Sequence, residues 1–171
     1  MKPSKKTILI LVLWIVFNCI MAIWLNKAYS QERVRLAVLQ DVKLATVGDK
    51  DHNYDAFTAD VLIRLKMAGN QQKYGYLTIF PQFEYAGLET PYTRYSANVG
   101  YTLNQFRFVE LMPYIGYGIS NHDGSYKSIS FCGELAIPIG RFNIVIDGEY
   151  LKRKELDKWL FSGYAGVEYK F

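Results

Sequence analysis

The sequence predicts an all-β fold: an eight-stranded antiparallel up-and-down transmembrane β-barrel following a cleaved signal peptide. Three observations predict it. Residues 1–30 read as an export leader, and no helical period persists after them. The rest repeats eight segments, each about ten residues long, in which apolar and polar side chains alternate between turn signals.

The leader comes first. Lys2, Lys5 and Lys6 form a basic start, and Ile8 to Ile23 is nearly all apolar, interrupted by Asn18 and Cys19. Ala28-Tyr29-Ser30 then places small residues at the −3 and −1 positions of a cut before Gln31. An uncleaved anchor is the alternative, because the apolar run approaches the ~20 residues a spanning helix needs. A lipid-modified Cys19 is set aside, since Val16-Phe17-Asn18 lacks the usual small residues. The expected organisation is a signal peptide over 1–30 and one barrel domain over 31–171.

Removing the leader changes the charge argument. The chain has 20 Lys and Arg against 16 Asp and Glu, and four of the lysines (Lys2, Lys5, Lys6, Lys27) lie in the leader with no acidic residue. The mature chain is formally neutral, so charge implies no nucleic-acid partner. Cys132 is the one cysteine after the leader, so no intramolecular disulfide is expected.

The segments run in order. The first, Arg33–Val47, is the least regular: Val34, Leu36, Val38, Val42 and Leu44 are apolar, and Gln40 breaks the face. The second, Ala56–Ala68, is the clearest. Phe57, Ala59, Val61, Ile63, Leu65 and Met67 alternate with Thr58, Asp60, Leu62, Arg64 and Lys66. The third, Tyr74–Ala86, sets Leu77, Ile79, Pro81, Phe83 and Tyr85 against Thr78, Gln82 and Glu84. The fourth, Tyr92–Leu103, sets Tyr95, Ala97, Val99, Tyr101 and Leu103 against Arg94, Ser96, Asn98, Gly100 and Thr102. The fifth, Phe108–Ser120, turns Val109, Leu111, Pro113, Ile115, Tyr117 and Ile119 to one face. The sixth, Tyr126–Ile137, sets Ile129, Phe131, Gly133, Leu135 and Ile137 against Ser128, Ser130, Cys132, Glu134 and Ala136, before a turn at Pro138-Ile139-Gly140. The seventh, Arg141–Leu151, has Phe142, Ile144, Ile146 and Tyr150 opposite Asn143, Asp147 and Glu149. A charged loop, Lys152–Lys158, leads to the eighth, Phe161–Phe171. Pro81 and Pro113 fit badly inside strands and are expected to make bulges, because proline cannot donate to a ladder.

The same alternation suits a soluble lipocalin-like barrel with its apolar face inward. Three features turn that face outward instead. The polar face is rich in small residues (Ser96, Gly100, Gly116, Gly118, Ser128, Ser130, Ser162, Gly166), which suit the crowded interior of an eight-stranded barrel. Its charges come in both signs, so Asp60, Glu84, Glu110, Glu134, Asp147, Glu149 and Glu168 are expected to pair with Arg64, Lys66, Arg94 and Lys170. The outward aromatics gather near strand ends, with Tyr85, Tyr95, Tyr117 and Tyr150 at one rim and Tyr101, Phe142, Tyr169 and Phe171 at the other, as in the girdles of membrane barrels.

Little in the sequence carries chemistry. His122, Asp123 and Ser125 share a loop and offer a rim acyl-transfer cluster, but Asn-His-Asp-Gly-Ser is also ordinary turn composition. His52 among Asp49, Asp51 and Asp55 offers oxygens to a hard cation without matching a loop motif. Cys132 reads as packing. No catalytic, cofactor-binding or metal residue is assigned, and a wide pore is not expected, because an eight-stranded interior is filled by side chains.

From the leader through the alternating last strand to Phe171, the chain resembles the family of small eight-stranded outer-membrane β-barrel domains. The resemblance implies a location in the bacterial outer membrane. It also implies outer-membrane lipid as surroundings, an assembly machinery that reads the C-terminal strand, and a structural or surface-interaction role as a monomer. It carries no site residues, and the short connections depart from adhesins of this shape.

Overall fold

The computed structural model describes residues 33–46, 58–87, 92–104, 106, 108–121, 124–153 and 158–171. The signal peptide expected over residues 1–30 lies outside them. Eight strands occur in sequence order: β1 Val34–Asp41, β2 Asp60–Ala68, β3 Gly75–Ala86, β4 Tyr92–Leu103, β5 Glu110–Asn121, β6 Ser125–Ile139, β7 Phe142–Arg153 and β8 Lys158–Lys170. Each pairs antiparallel with its neighbour, and β1 closes on β8, giving a closed up-and-down barrel. One rim carries Val34 and Phe171 and is called the terminal rim. The other, where β1 ends and β2 begins, is the far rim.

The first strand is shorter than its sequence suggests. It stops at Asp41, and Val42–Thr46 forms a one-turn helix, α1. Asp41 is the reason: its Oδ1 accepts the Leu44 amide at 2.8 Å, the geometry of an N-cap, and Thr46 Oγ1 donates back to the Val42 carbonyl at 2.7 Å. The second strand starts at Asp60, later than Ala56, and the fifth starts at Glu110, leaving Phe108 and Val109 outside it.

The expected turn at Pro138-Ile139-Gly140 is also displaced. Pro138 and Ile139 stay in β6, opposite Asn143 and Phe142, and the reversal is made by Gly140-Arg141 alone. A two-residue hairpin wants a positive φ, and Gly140 has φ 64° with nothing near its missing Cβ. At the far rim β7 and β8 extend into what reads as loop, so Trp159 joins a strand.

Neither proline makes a bulge. The β2–β3 register is the same on both sides of Pro81, running from Arg64↔Gln82 to Met67↔Ile79, with only the intervening pairs lost. On its other side Pro81 pairs normally with Ala97. Likewise β4–β5 skips from Gly100↔Tyr114 to Leu103↔Leu111 in unchanged register, while Pro113 keeps Gly133 as its β6 partner. In an antiparallel ladder a residue's N–H serves one neighbour only. Each proline therefore costs one local interruption on one side, and the barrel stays closed.

Candidate functional site

The alternation sorts side chains into two populations. Inward positions include fully buried Arg64, Arg94, Asn143 and Glu168, with Asp147, Glu149, Glu134 and Lys66 barely exposed. Outward positions are apolar and open: Ile115, Tyr117, Ile146, Phe131 and Val167 are each about half exposed. The soluble alternative, with the apolar face inside, is not the structure formed.

Burying charges in a barrel requires pairing, because an isolated buried ion is strongly disfavoured. β2 places Arg64 and Lys66 at successive inward positions. Arg64 donates from Nε to Gln82 Oε1 at 2.9 Å and from Nη1 to Glu134 Oε2 at 3.0 Å. Its Nη2 reaches the Tyr114 hydroxyl at 2.6 Å and Asp147 Oδ2 at 2.5 Å, and Tyr114 in turn donates to Asp147 at 2.8 Å. Lys66 bridges Glu134 and Glu168, each at 2.5 Å. Arg35 continues the chain toward the terminal rim, pairing with Glu110 at 2.5 Å and Glu168 at 3.3 Å and donating to Tyr76 at 2.6 Å. One connected network thus runs from Glu110 to Asp147.

A second group lies nearer the far rim. Arg94 donates to Ser128 Oγ at 3.1 Å, to Ser130 Oγ at 3.0 Å and to Glu149, and its Nη1 lies 3.6 Å from Glu84. Tyr164 crosses the lumen to donate to Glu84 at 3.0 Å. Apolar side chains fill the remaining space. Ala37, Leu39, Leu62, Ala136, Val145 and Tyr164 make one cluster. Phe80, Met112 and Tyr114 make another, against which Cys132 packs. The cavity beside Arg35, Lys66, Tyr76 and Glu110 is about 10 Å³, room for a single water.

The expected pairs of Arg64, Lys66 and Arg94 are therefore present. Arg35 is an addition that the irregular first segment concealed, and its alternation with Leu36 was the available signal. Lys170 makes no ion pair among the described residues. Ser125 stands exposed at the start of β6. His122 and Asp123 lie outside the described residues, as do His52, Asp49, Asp51 and Asp55. Among the described residues no group of His, Cys, Asp and Glu is arranged to hold a metal ion.

On the outward wall the aromatics form contacts of their own. At the terminal rim Tyr169 packs on Phe142 and Phe171, with ring centroids 5.1 Å apart in both cases. Toward the far rim Tyr150 and Trp159 stack at 4.9 Å, and Phe83 meets Tyr95 at 5.0 Å. Tyr95, Tyr150, Phe142, Tyr169 and Phe171 are girdle residues read from the sequence, and Phe83 and Trp159 are additions to it.

No protein-family model matches the sequence, and no curated protein matches it significantly. Among solved structures, the backbone structure of the Yersinia pestis outer membrane protein Ail in a phospholipid bilayer nanodisc is similar. The TM-score is 0.56 at 15% sequence identity, covering 81% of this chain and 99% of that one. With its closed eight-stranded antiparallel sheet, charged packed interior and apolar girdled exterior, this chain has the fold of the small eight-stranded outer-membrane β-barrels.

Proposed function

We propose that the chain is an integral protein of the bacterial outer membrane with a structural or surface-interaction role, and that it is not a diffusion pore. One observation carries this reading: the placed outward strand side chains are neutral and mostly apolar apart from Lys127 and Lys152, while the interior holds a connected network of ions. Water would not call for that arrangement, whereas a bilayer requires an apolar belt and a closed sheet with no open edge. The likeness to an outer membrane protein supports the location. The packed lumen supports a role without bulk transport, and no catalytic step is assigned.

The reading places the far rim outside the cell and both ends of the barrel in the periplasm, with outer-membrane lipid as the immediate surroundings. The chain would work as a monomer, and the terminal strand would be the segment read by the assembly machinery. Fractionation of cells expressing the full chain tests the location. The expected result is recovery in the outer membrane, with migration that shifts on boiling as a folded barrel's does. Recovery as a soluble periplasmic protein would sink the reading.

A further inference from the structure

Among the described residues, every acid expected to find a cation in the lumen does so except Asp60. Asp60 opens β2 at the far rim, on the inward face, and is 6% exposed. Its Oδ1 is buried and has no hydrogen-bond partner among the described residues. The charged groups close enough to act on it are Glu84, Asp41 and Glu149, all of them acidic. Each of those three has a donor. Asp41 accepts the Leu44 amide at 2.8 Å, Glu84 accepts the Tyr164 hydroxyl at 3.0 Å, and Glu149 accepts Arg94. Arg94 is already divided between Glu149 and Glu84.

The other titratable groups on inward positions at this end are phenols: Tyr92 on β4, Tyr126 on β6 and Tyr164 on β8, while β5 offers Ser120. Lys43, on α1, is exposed. A buried carboxylate with no donor and acidic neighbours is strongly disfavoured, and binding a proton removes the conflict. A metal ion would also remove it, but among the described residues no acidic group is arranged to hold one. Asp41 stands across from Asp60 on β1, one step beyond the Gln40↔Val61 pair, and like charges at opposed positions weaken a ladder. We infer that Asp60 holds a proton in the closed barrel and that this proton latches the far ends of β1 and β2 together. Ionisation puts a second charge opposite Asp41, where β1 ends and the Asp60 amide donates to Gln40 Oε1 at 3.3 Å. The closed form binds the proton and the loosened form releases it, so loosening grows as pH rises. The terminal half of the lumen, where Arg35, Lys66 and Arg64 are paired, carries no such latch. The device is lumenal and does not depend on what the outer wall faces.

Asp60→Asn keeps the shape of the protonated acid and removes its titration. The full chain and this variant, each showing boiling-dependent migration, are compared by hydrogen–deuterium exchange at about pH 4, where an ordinary aspartate is half protonated, and at about pH 8. Protection factors, which take out the intrinsic pH dependence of exchange, are read at the far ends of β1 and β2 and at their terminal ends. At the lower pH the two proteins should match. At the higher pH the far ends of the unmodified chain should open at least about tenfold more than those of Asp60→Asn, since each pH unit of linkage gives tenfold. The terminal ends should stay equal. Asp41→Asn removes the opposed charge while keeping a side chain that caps α1. It should bring the far-end protection at about pH 8 back toward its value at about pH 4, and it keeps the test open if Asp60→Asn does not fold. Equal far-end protection in the unmodified chain and Asp60→Asn at the higher pH overturns the inference. So does a loss spread evenly over both ends of the strands, or an Asp41→Asn variant as loose as the unmodified chain.

Discussion

At the scale of the residue, Arg64 shows what charge does inside this barrel. It has no exposed surface, and its donors are spent on Gln82, Glu134, Tyr114 and Asp147. Its ring neighbours add to this: the guanidinium lies 5.5 Å from the Phe80 centroid and 5.2 Å from that of Tyr114. Replacing it with Met keeps much of the volume but leaves Asp147 without its cation and Glu134 with Lys66 alone. Breaking a buried pair in this way costs about 3–5 kcal/mol. Arg64→Met should therefore lower the urea midpoint of unfolding in lipid by that equivalent, and a loss under about 1 kcal/mol would show that the network contributes little. The sequence made the inward position of Arg64 legible through its place in Ala56–Ala68. It did not make the partner choice legible, because Asp147 lies on a strand reached only after closure and the period of two says nothing about distance across a lumen.

At the scale of the element, closure is decided where β1 meets β8. The register sets Leu39 opposite Gly166 and Val38 opposite Val167, and the Phe171 amide adds one hydrogen bond to the Val34 carbonyl at 3.1 Å. A Cβ built at Gly166 would meet Leu39 Cα at 2.7 Å as well as the Val38 carbonyl. That neighbour is backbone and cannot swing away. Gly166→Val should consequently lower the yield of closed barrel, read as the fraction that migrates as folded without boiling, while Gly163→Ala, where nothing lies near the missing Cβ, should leave it unchanged. Equal yields for both would mean that the seam tolerates crowding. The strands themselves were largely legible, and β4 has the bounds its alternation gives. The ends of others were not, because capping by Asp41 and the conformational freedom of Gly140 overrode the local pattern. Pro81 and Pro113 show the opposite case: a strong local signal for disruption is absorbed by one missing hydrogen bond when both neighbouring strands hold the register.

At the scale of the whole molecule, the question that the alternating pattern left open was which face of the sheet points outward. Alternation alone is symmetric between a soluble barrel and a membrane barrel. The small residues and mixed charges of the polar face broke that symmetry, and the structure follows them. Magnitudes allow a direct test. Ile115 is outward and about half exposed, well away from both rims between Pro113 and Tyr117 on β5. If that surface faced water, Ile115→Arg would change stability by no more than about 0.5 kcal/mol, as most surface substitutions do. Facing hydrocarbon near the middle of a bilayer, the same substitution costs about 2–4 kcal/mol. Arginine at Asn121, outward at the far rim, falls where the penalty fades to about 0–1 kcal/mol. Unfolding of the two variants in lipid vesicles should therefore differ by at least about 1 kcal/mol, with Ile115→Arg the weaker. Equal and small effects at both positions would return the apolar wall to water and remove the membrane from the account.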